Sequence, residues 1–287
     1  MTTSFFTAFV AWLRQDGMER VGISGLRPVC TLLRDGFYGF SESGWPCDVS
    51  ESVWMESGRK VVSCIDTWLR RTDLEVEDRI EALAALHVLA DLFWTDSRLT
   101  GQVYAGVDRL FGDARLAALS HSGQAAWLTL LATCNMWLQD AGYTAESHRL
   151  AAALMAVPSR SAAGEAVTLA AVNGYAYRML DNRFNDELAC RVAGLLRQAD
   201  RLWADDITLC RSYALLVQGV NFPVPHAVLR QLTTVAGERM ACAGAFSVPW
   251  LFLAGVQLNY ACECLDEEVS RPFAGTRLFC GTSSAGD

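Results

Sequence analysis

The chain has 287 residues, 52% of them apolar and 20% charged, with a formal charge of −8 and a mean hydropathy of +0.18. That length is enough for a sizeable core, and an acidic balance without a basic stripe argues against nucleic acid or anionic lipid as a partner. The longest stretch free of charge, Met240 to Cys262, is broken by Ser247, Pro249, Gln257 and Asn259, so no membrane span is expected.

In chain order the pattern predicts about twelve helices and no strand, an all-α fold. The opening segment MTTSFFTAFVAWLRQDG has no basic residue ahead of its apolar run. It reads as an amphipathic first helix over Thr3–Gln15, not as a signal sequence, which places the protein in the cytoplasm. A second helix, opened by Ser24 and Pro28, is expected to stop at Gly36. The stretch from Gly36 to Asp48, GFYGFSESGWPCD, then reads as an aromatic loop that either covers the open end of the core or closes over a ligand through Trp45.

A long helix follows over Ser50–Arg71. Next comes Thr72–Asp96, whose apolar residues leave no wide polar stripe, so it reads as a helix buried on most sides. Asp73 is its expected N-cap, and Glu75, Glu77 and Asp78 sit near the positive end of its dipole. Within it His87 and Asp91 stand four residues apart on one face. A histidine beside a carboxylate in apolar surroundings is a candidate acid–base pair, and these two are the expected catalytic residues.

Further helices are expected over Ser97–Phe111, from Ser120 or Ser122 through Leu138, from Thr144 to Met155, over Ser161–Leu180, and from Asn185 through Leu196. Three more follow, over Ala204–Val220, His226–Met240 and Ser247–Leu265. Short turns favour antiparallel helical hairpins in a single domain over residues 1–280, arranged as a bundle or as an α/α-repeat superhelix or barrel. A weak seam lies near Val157–Gly164, and residues 281–287 read as a disordered tail.

The chemistry-bearing motifs are few. No phosphate loop, dinucleotide fingerprint, zincin or nucleophile-elbow motif is present. The pairs Asp205–Asp206, Asp91/Asp96 and Asp181/Asp186 lack the spacing with which carboxylates share magnesium on a helix. The ten cysteines are scattered without a C-x-x-C, so reduced thiols and no metal or cofactor are expected. Polar interruptions of apolar faces supply the remaining candidates. Gln257 and Asn259 place amides in the last helix, while Arg211, Tyr213 and His226 flank the break NFPVP, where Arg211 suits a carboxylate or Asp206.

Two functions follow as expectations. One is a small-molecule-binding or biosynthetic protein of specialised metabolism, with an interhelical pocket and His–Asp acid–base chemistry. The other is a non-catalytic helical module that docks a peptide or protein. The apolar composition also makes a homodimer an expectation to test.

Overall fold

The structure, a computed structural model, describes residues 5–14, 22–45 and 49–197, which form nine α-helices and two short 3-10 turns with no strand among them. The three helices expected beyond residue 197 and the tail at 281–287 lie outside the described residues. No described helix is long and apolar enough to cross a membrane. The chain divides into two compact units, and among the described residues the first runs to Val103 and the second begins at Tyr104.

The first unit holds α1 (Phe5–Arg14), α2 (Ile23–Ser43), α3 (Glu51–Leu69) and α4 (Val76–Leu92), with the start of α5 (Ser97–Phe111). Its core is built where α2 and α3 both pack against α4. Trp54 of α3 is fully buried, and its indole Nε1–H donates to the Leu33 carbonyl of α2 at 2.8 Å. Around it stand Phe9 at 6.0 Å, Phe40 at 5.4 Å and Trp45 at 6.2 Å between ring centres.

That cluster explains the main departure from the sequence reading. Helix α2 does not stop at Gly36; it continues to Ser43 and ends at Gly44, whose φ of +97° is the glycine conformation that turns the chain away. A helical glycine costs about 1 kcal/mol relative to alanine. Cys30, Leu33, Phe37 and Phe40 keep spacings of three and four residues straight through Gly36, and burying one such aromatic side chain offsets that cost. Gly22, not Ser24, occupies the N-cap position, and Pro28 lies inside the helix. The aromatic stretch is therefore mostly helix. Trp45 is half-buried against Phe37, Phe40 and Trp54, and residues 46–48 lie outside the described residues.

Helix α4 starts later than its sequence suggested. Glu75 holds the cap position without a side-chain bond, and Asp73 instead accepts two hydrogen bonds from the Arg71 guanidinium. Arg79 reaches back to the carbonyls of Leu69 and Arg71 at 3.1 and 3.0 Å, satisfying the end of α3. Ile80, Leu83, Leu86 and Leu89 are buried, but a strip through Glu77, Glu81, Ala84, Val88 and Asp91 is open to solvent to varying degrees.

The second unit is built on α6 (His121–Leu138), α7 (Ala141–Ala156), α8 (Ala162–Met179) and α9 (Asn185–Leu196). Caps set three of the four starts. Ser120 Oγ accepts from Gly123 N, Asp140 Oδ1 from Gly142 N and Tyr143 N, and Ser161 Oγ from Gly164 N. The α7 cap is thus Asp140, not Thr144. The Thr144 hydroxyl bonds back to the Asp140 carbonyl and receives Asn135 Nδ2 at 2.8 Å.

Helices α6 and α8 run parallel, with α7 antiparallel to both. At one end His121 Nε2 meets Thr168 Oγ1 at 2.7 Å, and at the other Asn135 Nδ2 lies 3.9 Å from Met179 Sδ. Trp127, Leu131, Cys134, Leu169, Val172 and Tyr175 fill the interior. Burial pushes the Cys134 thiol up to about 12, as expected of a thiol used as an apolar filler.

Candidate functional site

The most densely bonded polar group among the described residues stands where α8 ends. Leu180 adopts a left-handed conformation with φ of +51°, and the Asp181 amide bonds to the Ala176 carbonyl at 2.9 Å. This is the reversal that commonly closes a helix, made here without glycine. It turns Asp181 back beneath Tyr175, six residues earlier and fully buried. Tyr175 Oη donates to Asp181 Oδ2 at 2.7 Å.

Asp181 is then saturated from the following turn. Its Oδ1 accepts from the Arg183 amide at 3.2 Å and from Arg183 Nε at 2.9 Å, and its Oδ2 accepts from Arg183 Nη2 at 2.7 Å. The Arg183 bond, with further help from Tyr175 and the amide, holds the Asp181 carboxyl well below the usual carboxylate range although burial opposes it. Burial, and after it the bond to Asp181, pushes the Tyr175 phenol above its ordinary value. Asp181 is therefore a fixed anion and Tyr175 a fixed neutral donor.

The fourth member comes from the neighbouring helix. His148 of α7 places Nδ1 on Tyr175 Oη and Nε2 2.6 Å from Arg183 Nη2, with Nδ1 also 3.5 Å from Asp181 Oδ2. Donor and acceptor roles follow from elimination. A guanidinium has no lone pair to offer, so Nε2 must accept, and the ring carries its proton on Nδ1. Nδ1–H donates to Tyr175 Oη, whose own proton goes to Asp181. One direction runs through the whole chain: Arg183 to His148, His148 to Tyr175, Tyr175 to Asp181.

The inner half of the chain is dry and the outer half wet. The side chain of Asp181 is 7% exposed, against 41% for His148 and 59% for Arg183. His148 Nδ1 is thus held on a buried, charge-backed partner and Nε2 on the Arg183 guanidinium at the more exposed end of the chain of bonds, which fixes one tautomer of the ring.

The residues expected from sequence fall elsewhere. His87 is half-buried on α4, and Asp91 is exposed one turn further along the same face. Tyr38 Oη donates to the Asp91 backbone carbonyl at 3.4 Å. Trp45 belongs to the aromatic cluster of the first unit. Arg211, Tyr213, His226, Gln257 and Asn259 lie outside the described residues. No group of three metal-ligating side chains is found among the described residues.

Sequence reasoning passed over His148, Tyr175 and Arg183, and read Asp181 only as half of a failed metal pair. The available signal was local: Tyr175, Asp181 and Arg183 span the end of a predicted helix within nine residues. His148 has no such signal, because only the packing of α7 on α8 brings it in. Comparison of the chain with family models, with curated proteins and with solved structures finds no match.

Proposed function

We propose that this chain is a small-molecule-binding or biosynthetic protein whose acid–base group is His148, backed by Tyr175 and Asp181. The observation that carries this reading is the single direction of hydrogen bonding from Arg183 through His148 and Tyr175 to the buried Asp181 carboxylate. When His148 Nε2 takes a proton, once the Arg183 guanidinium has released that nitrogen, the charge on the ring is met through Tyr175 by an anion already in place. The pair His87–Asp91 remains part of the proposal as a second, more open acid–base candidate, because its carboxylate is exposed. A cytoplasmic setting accords with scattered thiols that have no pairing pattern.

The test is native mass spectrometry of the protein purified from its own host, read together with the His148→Gln variant. The expected result is a bound small molecule in the wild type that the variant does not retain, with its fold intact by circular dichroism. Retention of a protein partner and no small molecule would favour the other reading, a docking module. That reading has one specific observation behind it. Trp137 and Tyr177 are 71% and 61% exposed at the neighbouring C-terminal ends of α6 and α8. The same spectra report the subunit number and so test the homodimer.

A further inference from the structure

We infer that the ligand of the His148 site carries an oxyanion, a carboxylate or a phosphate, which Arg183 binds as it releases His148 Nε2; this rests on the acid–base reading given above. The argument starts from the hydrogens of one guanidinium. Arg183 Nε–H and one Nη2–H form a fork on Asp181, at 2.9 and 2.7 Å. The second Nη2–H is spent on His148 Nε2 at 2.6 Å. Nη1 makes no hydrogen bond among the described residues, and the side chain is more than half exposed.

In this state the base is blocked, because its lone pair already accepts a hydrogen bond. A substrate that only needs a proton removed has nothing with which to displace a charged donor. An oxyanion does. It accepts from Nη1 and from the Nη2–H that served His148, in the side-by-side geometry that makes arginine the usual partner of carboxylate and phosphate. Asp181 keeps Nε and the first Nη2–H, so the guanidinium pivots about its anchor without leaving it. The Phe184 ring, 5.6 Å from the guanidinium carbon, gives the plane an apolar support during that movement.

The charges balance in the right order. Asp181 and Arg183 cancel, and His148 is neutral with its proton on Nδ1. Arrival of an anion leaves the site with a net negative charge, which stabilises the imidazolium formed when Nε2 accepts a proton. The step is one proton transfer: a substrate X–H bond breaks, its electron pair stays on X, and the proton moves to Nε2. No oxidant or further reactant enters. Arg183 is on this account a specificity-determining residue, since it leaves Nε2 only for a ligand that can satisfy it.

The experiment follows the imidazole nitrogens by long-range proton–nitrogen correlation on uniformly nitrogen-15-labelled full-length protein, with the His148 signals assigned by loss in His148→Gln. Inorganic phosphate and acetate are added separately against sodium chloride at matched ionic strength. The free protein is expected to show His148 protonated on Nδ1, and one of the two anions is expected to shift Nε2 saturably. Saturation by phosphate alone or by acetate alone supports the inference and names the group. In Arg183→Lys, which keeps the charge but not the fork, the anion is expected to bind about tenfold more weakly, the loss of one charge-assisted hydrogen bond. If neither anion acts beyond the chloride control while the Nδ1 proton is in place, the oxyanion inference falls and the acid–base reading stands. If the free protein carries the proton on Nε2, both fall together. The wild-type titration decides this even if the variant does not fold.

Discussion

Arg191 of α9 forks onto Glu165 of α8, Nε to Oε1 at 2.7 Å and Nη2 to Oε2 at 2.9 Å, with both side chains nearly buried. The same guanidinium donates through Nη1 to the Met155 carbonyl at the end of α7, and Glu165 Oε2 accepts from the Ser159 amide in the turn between α7 and α8. One ion pair therefore ties three helices and a turn. Breaking such a pair leaves a buried charge without compensation, so Glu165→Gln is expected to cost about 3 kcal/mol. Urea unfolding should show a lower midpoint with an unchanged slope. A loss below 0.5 kcal/mol would mean that α9 does not depend on this contact.

Asp181 makes the stability of the fold depend on acid pH in a specific window. Its carboxyl is held below the ordinary aspartate value of about 3.9 by Arg183 first and by Tyr175 and the amide after it. With the folded value depressed, the unfolded chain takes up the proton first as pH falls. The stabilisation is thus complete above about pH 5 and is lost progressively below about pH 4. The difference in unfolding free energy between wild type and Asp181→Asn should be constant from pH 7 to about 5 and shrink below that. A difference that grows on acidification would refute the assignment.

Two glycines in α3 and α5 should respond in opposite directions to the same substitution. A Cβ on Gly58 would lie 2.9 Å from Cζ of the buried Phe93 ring, which has Leu92 beside it, whereas one on Gly101 would meet nothing within 4 Å. Gly101→Ala is expected to raise stability by about 0.5–1 kcal/mol, through the unfolded chain and helix propensity. Gly58→Ala is expected to lower it by about 1–3 kcal/mol through overpacking. Thermal unfolding of both variants in one buffer makes the comparison.

Trp45 is a packing residue of the first unit in this structure, with three aromatic neighbours within 6.2 Å. Trp45→Ala is expected to destabilise by about 1–3 kcal/mol, the range for a half-buried aromatic side chain. A mobile cover over a ligand would behave differently: the variant would keep its stability and change only ligand kinetics.

Much of the helical layout could be read from the sequence because short-range chemistry fixes it. Ser50 and Ser161 cap the helices expected to start at them, Ser120 is the cap of the two serines expected for α6, and the limits of α5 match their expected positions. The failures came where one local rule competed with another. Gly36 signalled a stop, but Phe37 and Phe40 continued the apolar spacing, and packing on Trp54 decided the contest. The His87–Asp91 pair looked interior because Ala84 and Val88 concealed the open strip of α4. Which side of that helix is covered depends on α2 and α3, and no periodicity within α4 can report it. The His148 network was harder still, since its defining contact joins residues 27 apart that share no motif.

That separation divides the network in time. Tyr175, Asp181 and Arg183 lie six and two residues apart, so they assemble as soon as α8 forms and turns at Leu180. His148 arrives only when α7 docks, after the closure of a longer loop whose entropy must be met by helix packing. An opening of the α7–α8 hairpin would remove the histidine and leave the tyrosine, aspartate and arginine bonded to one another. His148 is therefore the one member of the network that depends on tertiary packing, while the other three lie within nine consecutive residues.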